Sequence, residues 1–259
     1  GDIWAATGNG VSMFNKRTRQ WKNMLSNRHQ EMNAENHVFI SLCESTPGTI
    51  LVGGYMSGMY RIDKRNMTLQ YFTPKSEGYS QIRPDKYIRS IYRDEEGIVW
   101  AGGYYNLKRI EPNTGKMKHY NTDYPITFIT AKNKHELWIG TINGLYKFNK
   151  RQQKIQQVNL SSNPGSINSI YQADESTTYI GTHGNGLWVY NSQMGKLANY
   201  KTYNSALISN NIFCILPSKR GNELLISTEN ELVCFNKQEN IFTNWTKEQG
   251  LPTDKFNTS

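Results

Sequence analysis

The residues best suited to recognition chemistry in this 259-residue chain lie in short turns between apolar runs. Tyr55, Tyr104 and Tyr105 fall in two of these turns, and His183 and Asn185 fall in a third. An aromatic ring can cover the apolar face of a sugar, while amide and imidazole groups can bind its hydroxyls. We therefore predict that these five residues contribute to an oligosaccharide-binding surface. The alternative is that their side chains pack between neighbouring structural units.

A second group of candidates is basic. Lys75, Arg83 and Lys86 belong to one long polar segment, residues 73–86. These side chains could recognise a carboxylate or sulfate on a glycan, and Arg83 could do so through two parallel hydrogen bonds. A basic loop without a ligand is the alternative. The residues therefore leave both a neutral and an acidic oligosaccharide open.

The sequence shows no recognisable catalytic or metal-binding motif. It contains no GxSxG, HExxH or phosphate-binding loop. The five histidines lack metal-ligand spacing: His29, His37, His119, His135 and His183. The acidic run 94–96 falls at a predicted turn, where we expect it to be solvated. We predict no enzymatic activity in this region, no metal and no cofactor, although acids from distant repeats could meet, so a polysaccharide lyase or hydrolase remains the alternative.

The charge and cysteine content exclude little. The net charge is +9, but the Lys and Arg residues are scattered, and no recognition helix or RNA-binding motif appears. We therefore predict no nucleic-acid partner for this region. The three cysteines form no CxxC motif, and we expect buried free thiols at Cys43, Cys214 and Cys234.

The candidate turns belong to a repeated unit of two strands joined by a tight turn. Its clearest copy is 137–149, in which Asn143-Gly144 is a strong hairpin signal between two apolar runs. Six copies are anchored at Trp4, Leu51, Trp100, Trp138, Tyr179 and Leu225, with spacings of 47, 49, 38, 41 and 46 residues. A period in the forties made of strands is typical of β-propeller blades.

The predicted fold is an all-β propeller of four-stranded antiparallel blades in a single domain, 1–259, cut from a longer protein. The blades fall near 1–24, 37–73, 87–121, 125–160, 166–202 and 211–246. The first blade lacks its inner strand, and we predict that residues 250–259 supply it and close the propeller. The alternative is an open arc from a larger propeller. In either case the second-to-third-strand turns and the blade connections share one face, where function usually resides.

The repeat Leu-Trp-Ile-Gly-Thr-x-x-Gly-Leu-x-x-Phe-Asn, with the later Gly250-Leu251-Pro252, resembles the two-component regulator propeller repeat. The resemblance extends over the whole chain and is sharpest at 137–149 and 179–191. It implies the periplasmic sensor region of a hybrid two-component system from Bacteroidetes. Such a propeller would bind oligosaccharide without catalysis and signal to a histidine kinase that controls polysaccharide utilisation.

The resemblance also implies partners and a location. The partners would be a neighbouring propeller and an immunoglobulin-like domain of the same chain, with a homodimer in the full sensor. The region would lie on the periplasmic side of an inner-membrane protein. Propellers of the family usually have seven blades, whereas six repeats are present here. A third interpretation is a scaffold propeller that binds proteins.

Overall fold

The computed structural model describes residues 1–24, 38–72, 86–251 and the backbone of 75–76. The chain forms two compact units, the first ending at Ile129 and the second beginning at Thr130. Almost all of its regular structure is β-strand, and the one helix among the described residues is a 3₁₀ turn at Lys247–Gln249.

The first unit contains three sheets. The first has the order β1-β2-β3, and the second has the order β4-β5-β6-β7. The third has the order β8-β12-β11-β10-β9, in which β8 pairs parallel to β12 and all other pairs are antiparallel. The strands are β1 (Ile3–Thr7), β2 (Gly10–Asn15), β3 (Gln20–Asn23), β4 (Phe39–Thr46), β5 (Thr49–Gly54), β6 (Gly58–Asp63), β7 (Thr68–Tyr71), β8 (Lys75–Ser76), β9 (Ser90–Arg93), β10 (Val99–Gly102), β11 (Asn106–Ile110) and β12 (Lys116–Asn121).

Three further sheets follow, each with four strands in sequence order, and β13 crosses from the first unit into the second. Their strands are β13 (Ile126–Ala131), β14 (Glu136–Thr141), β15 (Gly144–Asn149), β16 (Lys154–Gln157), β17 (Ile167–Gln172), β18 (Thr177–Thr182), β19 (Leu187–Asn191), β20 (Lys196–Tyr200), β21 (Ile212–Pro217), β22 (Glu223–Thr228), β23 (Leu232–Asn236) and β24 (Ile241–Trp245). Six sheets of this meander type make the chain an all-β propeller, which confirms the predicted fold class. Of the segment 250–259 that was predicted to close the propeller, residues 252–259 lie outside the described residues.

Burial falls from the second strand of a blade to its fourth. In β14 five of six residues are buried, whereas all four residues of β3 are exposed. The second strands β5, β10, β14 and β18 are buried on both faces, whereas β22 alternates and β1 is only partly buried. The fourth strands alternate or are exposed. The largest fully buried side chains include Trp100 and Trp138, both anchors of the sequence repeat.

The glycine of the repeat is explained by the packing of one blade on the next. A Cβ placed on Gly53 would lie 2.4 Å from Ile88 Cγ2, and one on Gly102 would lie 2.5 Å from Ile126 Cγ2. In the second unit, a Cβ on Gly181 would lie 2.4 Å from Ile212 Cγ2. These isoleucines begin the next blade, so only glycine permits the close contact.

The threonine that follows this glycine stabilises the turn between the second and third strands. Thr141 Oγ1 donates to the carbonyl of Gly144 at 2.9 Å and accepts from the Asn143 amide at 3.1 Å. We call this pair of bonds the threonine clamp. It recurs with the same two roles at Thr7, Thr182 and Thr228.

Candidate functional site

Four tyrosines form a continuous row in the turns of the first unit. The centroid distances between adjacent rings are 5.3 Å for Tyr55–Tyr87, 5.3 Å for Tyr87–Tyr104 and 4.7 Å for Tyr104–Tyr105. The interplanar angles of 71°, 81° and 79° make every contact edge-to-face, an arrangement that aromatic rings favour. We call this row the tyrosine ladder.

The ladder remains open to solvent. Tyr55, Tyr104 and Tyr105 are 48%, 47% and 58% exposed, and Tyr87 is partly exposed. A large aromatic side chain is usually more buried than this, so a run of adjacent exposed rings is informative. The ring faces can cover the apolar side of a pyranose, and the phenol groups can donate to or accept from its hydroxyls.

The backbone holds the ladder in place from two directions. The Tyr55 amide donates to Val38 O at 2.9 Å, and the Gly58 amide donates to Lys86 O at 2.8 Å. The second bond ties the Tyr55 turn to the segment that carries Tyr87. Rings fixed in this way lose little entropy when a ligand binds.

Similar backbone bonds fix the other end of the ladder. The Thr122 amide donates to Tyr105 O at 2.9 Å, and the Ile126 amide donates to Gly103 O at 3.1 Å. Turns between the second and third strands therefore lie beside the blade connections, as predicted for propellers. The three tyrosines named from the sequence lie together.

Tyr87 was not predicted as a site residue. It lies in the connection before β9, directly before Ile88, whose side chain packs on Gly53. Extending the search for aromatics from the turns to the blade connections would have found it. Its ring joins the two Tyr-bearing turns, because it contacts both Tyr55 and Tyr104.

The three basic candidates are only partly described. Lys86 is exposed and precedes Tyr87, and its carbonyl accepts the bond from Gly58. The backbone of Lys75 belongs to β8 and pairs with Lys116 of β12. Arg83 lies outside the described residues. Lys86 is therefore the basic candidate whose position next to the ladder is known.

The second unit carries the other two predicted residues, on the turn between β18 and β19. His183 is exposed, and its amide donates to Ser166 O at 2.9 Å. The Asn185 side chain donates to Pro164 O at 3.2 Å and accepts from Lys201 Nζ at 2.7 Å. The Asn185 side chain is thus engaged with the segments on either side of its turn, and a ligand-binding role for either residue stays a prediction.

The first predicted turn of the third sheet differs from the expectation of solvated acids. Asp94 is 3% exposed, and its carboxylate accepts from Trp100 Nε1 at 2.8 Å and from the Ile98 amide at 3.0 Å. The prediction was wrong for Asp94, because the indole and backbone donors replace water. Glu95 and Glu96 are exposed as expected.

The cysteines also differ in part from the expectation. All three are free, but Cys214 is exposed, and Cys43 and Cys234 are only partly buried. Burial raises the pKa of the Cys43 thiol to about 12, although the Arg93 charge opposes the shift.

Within residues 1–24, 38–72 and 86–251, no three His, Cys, Asp or Glu side chains are grouped as metal ligands. No helix in this part of the chain is both long and apolar enough to cross a membrane.

Comparison with known proteins identifies the type of repeat. Residues 83–105, which include Tyr87, Tyr104 and Tyr105, match the family model described as two component regulator propeller. This confirms the resemblance seen in the sequence, although the match falls outside the two copies judged sharpest. Curated proteins give no sequence match.

Several solved structures share the fold. The extracellular domain of the putative one component system BT4673 from B. thetaiotaomicron has a TM-score of 0.67 and 16% identity, covering 98% of this chain and 40% of that one. The extracellular domain of the putative hybrid two component system BT3049 from the same organism has a TM-score of 0.50 and 19% identity, covering 92% and 37%. PorZ of the type-IX secretion system of Porphyromonas gingivalis has a TM-score of 0.67 and 14% identity, covering 88% and 36%. The chain thus spans well under half the length of these proteins.

Proposed function

We propose that this chain is a ligand-binding part of a periplasmic sensor and binds an oligosaccharide on the tyrosine ladder. The observation that carries the proposal is the unbroken row of four tyrosines, three of them about half exposed, on a fixed backbone. Stacking supplies apolar contact, and the phenol groups orient the sugar. No bond in the ligand is broken in this function.

The sensor assignment is supported by the family match and by the nature of the similar structures. Residues 83–105 match a two-component regulator repeat, and two similar structures are extracellular domains of putative regulatory systems. Those chains are more than twice as long as this one, which leaves room for further domains. We propose a neighbouring propeller, an immunoglobulin-like domain, a histidine kinase and a homodimeric whole.

Signalling would follow from a difference in affinity. A ligand shifts the arrangement of rigid domains only if it binds one arrangement more tightly than the other. A ligand seated on the ladder and contacting a neighbouring domain would do this. The response would be transcription of genes for polysaccharide utilisation.

The test is calorimetric titration of the chain with neutral and acidic oligosaccharides. We expect saturable binding, and we expect Tyr87→Ala and Tyr104→Ala each to weaken it at least tenfold, or about 1.4 kcal/mol. Tyr203→Ala is the matched control, because Tyr203 is a 78% exposed tyrosine that belongs to the second unit. Lys86→Gln should weaken binding only if the sugar is acidic, and added salt should then weaken it too.

Three results would contradict the proposal. Binding that survives both ladder variants would place the site elsewhere, and the absence of binding to any sugar would remove the ladder as a sufficient site. Shortened sugars detected by chromatography after incubation would favour the lyase or hydrolase alternative.

A further inference from the structure

A second concave site lies in the first unit, at the strand ends opposite to the ladder. It is a hollow of about 330 Å³ lined by Ser45 and Thr46, by Arg93 and residues 96–98, and by residues 111–114. Three turns form its walls, namely those joining β4 to β5, β9 to β10, and β11 to β12. We call it the lower hollow.

One wall presents an arginine with unused donors. An added Cβ on Gly97 would lie 3.4 Å from Arg93 Nη2, so the guanidinium rests against the Gly97 backbone in the hollow. Arg93 is exposed, and in the described part of the chain its side chain makes no hydrogen bond or salt bridge, although its charge lies near enough to Glu44 to help lower the pKa of that carboxyl. Its planar donors suit two parallel bonds to a carboxylate.

The same turn presents a carboxylate of opposite charge. Glu96 is exposed, and only its backbone is engaged, through an amide bond to Asp94 Oδ1 at 3.1 Å. No ion pair joins Glu96 to Arg93, although both line the hollow and lie three residues apart. The turn therefore holds two opposite charges apart across a concave surface.

The remaining acidic side chain of the hollow, Glu111, is already paired with a cation. Glu111 accepts from Arg109 Nη1 at 2.7 Å and from Thr114 Oγ1 at 3.1 Å. The bond from Arg109 is the main reason why the pKa of Glu111 lies below its usual value. Glu111 is therefore already paired, and Arg93 and Glu96 are the remaining charged side chains that line the hollow.

We propose that the lower hollow binds a free α-amino acid, with its carboxylate on Arg93 and its ammonium group on Glu96. A zwitterion satisfies both charges at once without bringing net charge into the hollow. A ligand with one charge would gain only one of the two charge-assisted contacts, so discrimination comes from the pair. The Ser45, Thr46 and Thr114 walls leave room for a side chain.

The second unit contains a matched hollow whose acidic side chain is already engaged in hydrogen bonds. It measures about 440 Å³ and is lined by the equivalent turns, with Asp174, Thr177, Asn222 and Lys237 among its residues. The Asp174 carboxylate accepts from the Ser176 and Thr177 amides, each at 2.9 Å. Because this acid is engaged within its own turn, we expect no zwitterion binding there.

The experiment is titration of the ¹⁵N-labelled chain with L-alanine and L-leucine, followed by amide chemical shifts. We expect saturable shifts around residues 93–98, and we expect Arg93→Gln and Glu96→Gln each to weaken binding at least tenfold, or about 1.4 kcal/mol. Acetate and methylammonium, each with one charge, should bind at least tenfold more weakly than alanine. Lys237→Gln in the matched hollow should leave the titration unchanged.

The proposal fails if neither amino acid shifts these amides, or if both charge variants bind as tightly as the original chain. It also fails if acetate binds as tightly as alanine and Glu96→Gln has no effect, because that result describes a simple anion site. The outcome is separate from that for the ladder, since Arg93→Gln should leave oligosaccharide binding unchanged.

Discussion

The turns that join the second and third strands of the blades fall into two classes. They differ in whether the side chain after the repeat glycine bonds the turn's own backbone or is absent and followed by an exposed tyrosine. In the clamped class, a threonine hydroxyl bonds the turn's own backbone, as Thr182 Oγ1 does to Gly186 O at 2.8 Å. In the other class, Gly54 and Gly103 replace the threonine, and each is followed by an exposed tyrosine. In the clamped class the threonine side chain stabilises the turn itself, whereas in the Gly-Tyr turns the tyrosine side chains are exposed to solvent.

The Gly-Tyr turns are not looser for lacking the clamp. Their backbone is bonded to the blade connections, for example through Ile88 N to Gly54 O at 3.0 Å. The clamped turn at 182–186 makes bonds of the same kind, from the His183 amide to Ser166 O at 2.9 Å and from the Gly186 amide to Asn210 O at 2.9 Å. Bonds to the blade connections are therefore common to both classes, and the residue after the repeat glycine distinguishes them.

The largest expected effect comes from a feature that both classes share, the contact between the repeat glycine and the next blade. Gly53 precedes a Gly-Tyr turn and Gly181 precedes a clamped turn, and each contacts the first isoleucine of the next blade. Gly53→Ala and Gly181→Ala should each destabilise the chain by about 2–3 kcal/mol, because the added methyl overlaps a packed side chain. Urea unfolding followed by tryptophan fluorescence would measure the loss.

Gly195→Ala is a suitable control for the two glycine variants. Nothing lies within 4 Å of an added Cβ at Gly195, so its cost comes only from the positive φ of 60°. A loss at Gly53 or Gly181 no greater than at Gly195 would show that the blade contact is not limiting. A large loss at only one of them would separate the two turn classes at the level of packing.

A smaller effect is expected from breaking one clamp. Thr182→Val keeps the shape of the fully buried side chain but leaves the Asn185 amide and the Gly186 carbonyl without the hydroxyl. The expected loss is about 1–2 kcal/mol in the free energy of unfolding. Thr182→Ser keeps both bonds and should cost less than Thr182→Val, and equal losses would show that the methyl packing matters rather than the clamp.

Sequence reasoning could predict the blades because their strands are specified locally. Asn143-Gly144 between apolar runs predicts a hairpin, and the observed strands are Glu136–Thr141 and Gly144–Asn149. The placement of tyrosines in the turns could also be predicted, since Tyr55, Tyr104 and Tyr105 were named as candidate site residues from their positions in the sequence. Local signals of this kind need no knowledge of which blade packs on which.

Contacts across long sequence distances could not be read in this way. The role of Tyr87 depends on two turns that are far from each other in the chain, because its ring contacts both Tyr55 and Tyr104. The burial of Asp94 depends on the orientation of the Trp100 indole, which an acidic run does not reveal. The exposure of Cys214 likewise depends on which side of its strand faces solvent.

The smallest expected effect comes from two ion pairs, one largely buried in the second unit and one more exposed in the first. Glu136 in the second unit accepts from Lys132 Nζ at 2.6 Å and is 16% exposed, whereas Glu44 in the first unit bonds Lys64 at the same distance but is 52% exposed. Burial favours a higher pKa for Glu136, but the bond and charge of Lys132 outweigh it, and the pKa is lowered. The pKa of Glu44 is also lowered, first by its bond to Lys64.

A lowered folded pKa means that each carboxylate stabilises the fold above its unfolded pKa, about 4.3, and that this stabilisation is lost as pH falls through the folded value. Glu136→Gln should therefore cost about 0.5–1 kcal/mol at pH 7, and the cost should shrink as pH falls through the lowered folded pKa, because the original side chain then becomes neutral as well. Glu44→Gln should cost less at every pH, since solvent screens the exposed pair. Urea unfolding of both variants at several pH values would measure the difference. A cost for Glu136→Gln that does not change with pH would mean that packing of the side chain, rather than its charge, holds this end of β14.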